Sequence, residues 1–171
     1  MIYHLILWLF LLQSSASLEN KIGTDIISGY LGPSSNLTRD VFVVEVLDTL
    51  GSRNYPKILD PKNEYVYKDL NELERGMVLD LLKFKEPISF DRTSLIQNQG
   101  LRIMEERRKD AYEYGWSSIK LSRISISADN QTACLILEYR CGSKCGSGLL
   151  IFAQLEGDTW KIAKRKQLWE S

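Results

Sequence analysis

Histidine is nearly absent from this chain of 171 residues, since His4 is the only one. It precedes an apolar N-terminal run and lies outside the part of the chain that we expect to fold. Without a further histidine, the sequence excludes Ser-His-Asp and Cys-His nucleophile pairs, histidine general-base chemistry and almost every ordinary zinc site. We therefore predict no catalytic residue of these kinds, no metal and no cofactor.

A net charge is also lacking, because 22 Lys and Arg residues balance 22 Asp and Glu residues. A balanced surface argues against nucleic acid or an anionic membrane as the main partner. Two local basic clusters, residues 107–109 and 164–166, are interpreted as solvated faces rather than binding patches. The partner that remains is an unknown protein or a surface component.

An apolar run long enough to cross a bilayer is missing. Leu5–Leu12 (LILWLFLL) contains eight apolar residues, whereas a membrane helix needs about 20. Small residues of the kind that signal peptidase requires follow in two overlapping pairs, Ser14 with Ala16 and Ser15 with Ser17. We therefore interpret residues 1–17 as a cleaved signal peptide of a secreted or periplasmic protein. An uncleaved anchor or a buried N-terminal helix is the alternative.

The segment that follows shows no clear period. Residues 18–37 contain Gly29, Gly32 and Pro33, so an irregular lead-in is expected. Residues 38–171 then have an ordinary size for a single domain. Two sequons, at Asn36 and Asn130, would be glycosylated only if the source is eukaryotic.

Helical spacing of apolar residues occurs twice in the first half of this domain. Residues 39–50 show it, although their valines also allow a strand. Residues 70–82 show it more clearly, and Pro87 ends the pattern; the apolar stripe consists of Leu70, Leu73, Met77, Leu81 and Leu82. Residues 64–68 are expected to be extended, and residues 105–113 to form an exposed helix.

From Ile119 onward the apolar period changes to two, as it does in strands. If Cys141 faces Cys145 across a hairpin, three apolar pairs face each other: Ala133–Ala153, Leu135–Ile151 and Leu137–Leu149. Turns at 129–130 and 157–158 add further strands, and a bulge or slipped register is expected in the last one.

The predicted fold class is α+β, with N-terminal helices packed on a C-terminal antiparallel meander of about four strands. By analogy this order is similar to cystatin-like and NTF2-like domains. The core is expected to lie between the helix carrying Leu73 and Met77 and one sheet face, to which Ile124, Leu135, Leu137 and Ile151 belong.

All three cysteines lie within residues 134–145. Cys141 and Cys145 are the disulfide candidates, because a chain reversal between them allows the ~5.5–6 Å between α-carbons that a disulfide prefers. Cys134 lies on the opposite sheet face and should remain a free thiol. A pair of free thiols or a redox-active pair are the alternatives, although a hairpin lacks the helix N-terminus that lowers a thiol pKa. The glycines at 142, 146 and 148 are interpreted as turn residues, since no helix follows them.

The C-terminal motifs resemble those of a family of uncharacterised exported bacterial proteins. Residues 121–148 (LSRISISADNQTACLILEYRCGSKCGSG), the later GDTWKI and the final LWES carry the resemblance. Members have a cysteine-glycine hairpin, a G-x-W-K strand and an ending close to W-I-S, matched here by Cys141-Gly142, Cys145-Gly146, Trp160-Lys161 and Trp169-Glu170-Ser171. Glu170 replaces the usual Ile. The resemblance covers about a third of the chain and implies export and a fold, not a reaction.

Two functions from different classes remain. The leading hypothesis is an exported non-catalytic domain that binds or interacts, for which Tyr112, Trp116 and Trp160 are possible ligand-facing aromatics; core packing is the alternative for these rings. The other hypothesis is a secreted enzyme that uses carboxylates, or a thiol redox protein that uses the Cys141/Cys145 pair. The candidate carboxylates, in the pairs 60 with 64 and 105 with 106, show no pattern that predicts convergence in a pocket. Acidic side chains converging in a deep pocket would favour the enzyme, and a shallow or filled concavity would favour the binding domain.

Overall fold

The computed structural model describes residues 2–32, 41–50, 54–93, 95, 117–141 and 145–171, with the side chains of the first helix described from Ser15 onward. Four helices and seven strands are described in these ranges. They follow the order α1 (Ile2–Tyr30), β1 (Val41–Asp48), α2 (Tyr55–Ile58), α3 (Glu64–Tyr67), α4 (Glu72–Leu81), β2 (Ile88–Ser89), β3 (Ser117–Ser122), β4 (Ser125–Ile126), β5 (Thr132–Cys141), β6 (Gly146–Glu156) and β7 (Thr159–Glu170).

The strands form one sheet in the order β2-β1-β3-β5-β6-β7, with β4 also paired to β5. The β1–β3 pair is parallel, and the remaining pairs are antiparallel. The predicted α+β class with an antiparallel sheet is therefore confirmed in outline. The expectation of about four strands was too low, because β1 and β2 from the first half of the chain extend the sheet beyond β3.

The central hairpin has the register that the apolar pairs predict. Ala133 faces Ala153, Leu135 faces Ile151, and Leu137 faces Leu149. Ile126 faces Ala133 across the turn at 129–130, also as predicted. Between β3 and β4 the ladder shifts, and the Ser122 hydroxyl accepts a hydrogen bond of 2.9 Å from the Ile136 N–H. A side chain thus satisfies a backbone donor where the register changes.

The last strand is irregular, as its sequence predicts. The β6–β7 register shifts between Gly148 and Leu149 and again between Phe152 and Ala153. The shift between Phe152 and Ala153 places Lys164 opposite Phe152 and Arg165 opposite Ile151. Without it, the turn at 157–158 would set Lys164 against the buried Ile151.

One face of the sheet packs on α1. Ile22, Ile26, Ile27 and Leu31 are at most 2% exposed and belong to the same core as the inward residues of the sheet, which include Ile124, Leu135, Leu137, Ile151 and Trp160. The prediction of an irregular lead-in over residues 18–37 was therefore wrong for residues 18–30, which are helical. Gly23 helps the helix approach, because a Cβ there would lie 2.7 Å from the Phe90 ring.

The other face packs on α2, α3 and α4. This second core contains Met77, Val78 and Leu81 of α4 together with Cys134 and Ile136 of β5. The helix predicted over 70–82 is confirmed, but it covers the face opposite to the one expected, and Leu73 is 53% exposed. Since a strand alternates its side chains between faces, Leu135 and Leu137 contact the α1 core while Cys134 and Ile136 contact α4.

Two local assignments were also wrong. The helix predicted over 39–50 is strand β1, whose valines pack well on a pleated sheet and are restricted in a helix. The extended piece predicted at 64–68 is the short helix α3. The exposed helix predicted over 105–113 lies outside the described residues.

Helix α4 begins with a capping box. Asn71 Oδ1 accepts a 2.9 Å hydrogen bond from the Glu74 N–H, and Glu74 Oε2 accepts one of 2.9 Å from the Asn71 N–H. Each side chain satisfies a backbone donor that the helix leaves without an intrahelical partner.

Helix α1 is fixed to the sheet by a buried carboxylate. Glu19 is 2% exposed and accepts hydrogen bonds of 2.9 Å from Arg123 Nε and Nη2 and one of 3.0 Å from the Ile124 N–H. The guanidinium of Arg123 also donates to the Glu86 carbonyl and lies over the Phe84 ring. A buried ion pair is stable only when further hydrogen bonds satisfy both partners, and these contacts provide them.

Side chains form hydrogen bonds with backbone groups near both edges of the sheet. Beside the short edge strand β2, where β1 continues past it, Arg92 Nη1 donates a 3.1 Å hydrogen bond to the Val43 carbonyl of β1. On the β7 edge, Asp25 Oδ2 of helix α1 accepts a 2.9 Å hydrogen bond from the Trp160 N–H. Both strands therefore carry a side-chain partner outside the ladder.

We expect Leu137→Ala to lower the free energy of unfolding by about 2–5 kcal/mol, because Leu137 is fully buried and the substitution leaves a cavity. Urea unfolding measures it. Leu73→Ala is the matched control, since Leu73 is largely exposed and should cost within about 0.5 kcal/mol. Equal losses in the two variants would contradict the assignment of faces.

Candidate functional site

Four residues lie opposite one another on the α2–α4 side of the sheet, in a row that crosses four strands. Lys120 of β3 faces Glu138 of β5, Glu138 faces Gly148 of β6, and Gly148 faces Trp169 of β7. We call these four residues the polar row. Directly opposed residues share one sheet face, so the row is a consequence of strand register.

The indole of Trp169 lies across the β6 backbone at Gly148. A Cβ at position 148 would overlap Trp169 Nε1 and would lie 2.6 Å from its Cε2. Gly146 is also close, since a Cβ there would lie 3.3 Å from Trp169 Cζ3. The interpretation of Gly146 and Gly148 as turn residues was therefore wrong: both lie in β6 and leave room for the ring. Gly142 lies outside the described residues.

Because Gly148 has no side chain, the Trp169 indole can lie over it and reach helix α2. Trp169 Nε1 donates a 3.0 Å hydrogen bond to Tyr55 Oη of α2, and Tyr55 Oη donates one of 2.8 Å to Glu138 Oε1. The indole N–H can only donate and an ionised carboxylate can only accept, so the direction of this chain is fixed. Glu138 is 6% exposed, and a buried carboxylate needs such donors.

A pocket opens beside Glu138. It is lined by polar groups from four elements and the loop after β1, among them Asp48, Thr49, Tyr55, Lys120, Ser122 and Glu138. Lys120 Nζ forms an ion pair with the Asp48 carboxylate. The volume of the pocket is about 10 Å³, which is enough for about one water molecule and not for an organic substrate.

Sequence reasoning did not identify Glu138 or Tyr55 as site residues. The available signal was Glu138 itself. Cys134, Ile136 and Glu138 are alternate residues of β5 and share the α4 face, so the pattern predicts an apolar residue at position 138. A charged residue in that pattern indicates a buried acceptor with a donor from another element. The identity of the donor required the position of α2.

The two cysteines of the hairpin form the predicted disulfide. Cys141 and Cys145 are bonded, with 5.2 Å between their α-carbons. Cys134 is a buried free thiol that faces Phe152, also as predicted. Burial raises the pKa of the Cys134 thiol well above its usual value, and the Glu74 carboxylate adds to the shift. The high pKa disfavours the reactive thiolate.

The predicted aromatic residues do not meet in a described site. Trp160 is 2% exposed and belongs to the α1 core, which favours core packing for its ring. Tyr112 and Trp116 lie outside the described residues, as does the sequon at Asn36. Asn130 is exposed and has a positive φ of 55° in the β4–β5 turn, a conformation that asparagine tolerates well.

The remaining charged candidates are the two carboxylate pairs and the two basic clusters. Asp60 and Glu64 are exposed and border no described pocket, and the pair at 105 and 106 lies outside the described residues. In the basic cluster at 164–166, Lys164 Nζ lies 2.9 Å from Glu74 Oε2, and Lys166 Nζ lies 3.6 Å from Asp69 Oδ2. These two lysines stabilise the contact between β7 and the helical layer. The cluster at 107–109 lies outside the described residues.

Within the described ranges, no group of three or more Cys, Asp or Glu side chains is arranged to hold a metal ion. In the same ranges, no helix combines the length and the apolarity that crossing a membrane requires.

Comparisons with family models, with curated proteins and with solved structures found no match.

We expect Gly148→Ala to displace the Trp169 ring and to break its hydrogen bond to Tyr55. The loss should be about 1–3 kcal/mol of unfolding free energy, as for other overpacked sites, with a changed near-ultraviolet circular dichroism spectrum. Gly76→Ala is the matched control: Gly76 lies in α4 with open space at its Cβ position, so the substitution should stabilise by roughly 0.5–1 kcal/mol. An unchanged Trp169 environment in Gly148→Ala would refute the packing.

We expect a thiol reagent to find no reactive thiol in the folded, non-reduced protein and one thiol after denaturation. The reason is that Cys134 is buried while Cys141 and Cys145 are bonded. Peptide mass mapping without reduction identifies the bonded pair, and Cys134→Ala should abolish the denatured signal. A bridge that includes Cys134 would contradict the β5–β6 register.

Proposed function

We propose that this protein is an exported, non-catalytic domain that binds another protein or a surface component. The observation that carries this proposal is the small volume of the pocket beside Glu138. Glu138, Asp48 and Lys120 converge as catalytic groups do, yet the space beside them holds about one water molecule. Their hydrogen bonds and ion pair connect β1, β3, β5 and α2, which is a role in structure.

Export is supported by two features. The Leu5–Leu12 run with its small residues matches a secretion signal, and the Cys141–Cys145 disulfide is of the kind that persists in oxidising compartments. The resemblance to exported bacterial proteins agrees with both. The further likeness to cystatin-like or NTF2-like domains belongs to the same proposal and is supported by a helix that precedes and packs on a mostly antiparallel sheet.

The surface best suited for binding lies on the helical layer. Tyr65 of α3 and Leu73 of α4 are 62% and 53% exposed, and they are the exposed large hydrophobic side chains of the described part of the chain. Lys166 Nζ lies 5.2 Å from the centre of the Tyr65 ring. Aromatic anchors beside a cation are frequent where proteins bind each other.

A redox function has less support from the geometry. Cys141 ends β5 and Cys145 directly precedes β6, so neither sulfur lies at a helix N-terminus, where the dipole would lower its pKa. We therefore assign the pair a structural role in closing the hairpin.

The binding function is tested with labelled, purified protein and envelope fractions from a source strain that lacks the gene. We expect saturable retention that unlabelled protein competes away. Tyr65→Ala combined with Leu73→Ala should weaken retention at least about tenfold, as loss of interface anchors does. Lys57→Ala with Lys62→Ala, exposed on the same layer, is the control and should bind normally.

Two outcomes would count against this function. Retention that does not saturate, or that the double variant leaves unchanged, would refute binding through this surface. A catalysed reaction that Glu138→Gln abolishes, in a protein that still folds, would refute the non-catalytic function and show that the protein is an enzyme.

A further inference from the structure

The N-terminal residue of the exported chain can be assigned from the structure, given the export proposed above. Two cleavage positions fit the small residues of the signal. Cleavage after Ala16 leaves Ser17 as the first residue, whereas cleavage after Ser17 leaves Leu18. The two products differ by a single serine.

Contacts in the folded domain limit how far toward the C-terminus the cleavage position can lie. Glu19 receives three hydrogen bonds from Arg123 and Ile124, and removing its carboxylate would leave the Arg123 guanidinium, 15% exposed, without its charge partner. Asn20 also holds the helix to β2 and the residues after it, through the Ser89 carbonyl and the Asp91 N–H. Cleavage must therefore occur before Glu19.

The end of the shortened helix distinguishes the two positions. Cleavage turns the middle of α1 into a helix N-terminus, whose first N–H groups lack intrahelical partners. With Ser17 first, its Oγ can accept a hydrogen bond from the Glu19 or Asn20 N–H, as serine does at N-cap positions. With Leu18 first, the terminal side chain carries no such acceptor. Ser17 is exposed, so its hydroxyl does not pack in the core.

Cleavage after Ala16 keeps the contacts between Asn20 and the sheet. The Ala16 carbonyl accepts a 2.9 Å hydrogen bond from Asn20 Nδ2, and this bond is lost with the leader. Asn20 keeps its contacts to Ser89 and Asp91. Glu19 stays in the first turn, where a carboxylate complements the helix dipole. We propose that signal peptidase cleaves between Ala16 and Ser17 and that Ser17 then caps the retained helix.

Intact-mass measurement of the exported protein, produced from the full-length gene in a secreting bacterium, tests the cleavage position. We expect a chain that begins at Ser17. A chain that begins at Leu18, or at any other residue, would overturn this assignment while leaving export in place. Unprocessed protein in the cytosol would instead overturn the export on which the assignment depends.

The capping role is tested with Ser17→Ala and Ser17→Asp, both introduced into the full-length precursor and purified after export. Mass measurement first confirms that each variant begins at position 17. Ser17→Ala should lower the folded-to-unfolded ratio about fivefold in urea unfolding, whereas Ser17→Asp, which retains an acceptor, should stay within about twofold of the wild type. Equal stability of all three proteins would refute the cap.

Discussion

The rest of the structure depends on strand β5 being buried on both of its faces. Its alternate side chains supply two cores: Ala133, Leu135 and Leu137 pack under α1, while Cys134 and Ile136 pack under the layer of α2, α3 and α4. Helices α2 and α3 have four residues each and would not be stable alone, because the first turn of a helix is costly to form. The sheet thus holds both helical layers in place. Glu138 lies where the apolar face of β5 ends, and its burial requires the donor that α2 brings.

The sequence was informative wherever a single hairpin determined the structure. Placing Cys141 opposite Cys145 gives a register that keeps the apolar residues of β5 and β6 together, whereas a shift by one residue would move each side chain to the other face. The turn at 129–130 added Ile126 to the same apolar face. The conflict between Ile151 and Lys164 correctly indicated an irregular last strand. These inferences involve neighbours in the chain, which is why the disulfide and the free Cys134 could be derived from the residues alone.

The remaining features depended on partners distant in sequence. Gly29, Gly32 and Pro33 favoured an irregular segment over residues 18–37, yet residues 18–30 are helical, and Gly23 allows their close contact with Phe90. Strand β1 gains its stability from a parallel partner that lies about 75 residues further along the chain. The polar row needs the β3–β5, β5–β6 and β6–β7 registers at once, and the β6–β7 register contains irregularities. Local patterns therefore located the core strands but not the side chains that meet across them.

The contacts of Arg92 and Asp25 have a consequence for how the protein behaves at high concentration. An open sheet can grow by adding a strand from a second molecule, which is the first step of ordered aggregation. Here an incoming strand would have to displace the Arg92 guanidinium from the Val43 carbonyl at one edge and the Asp25 carboxylate from the Trp160 N–H at the other. The charged residues of β7 would in addition have to be desolvated. Helix α1 therefore serves the sheet twice, as the cover of one face and as the source of a side chain that blocks polymerisation at an edge.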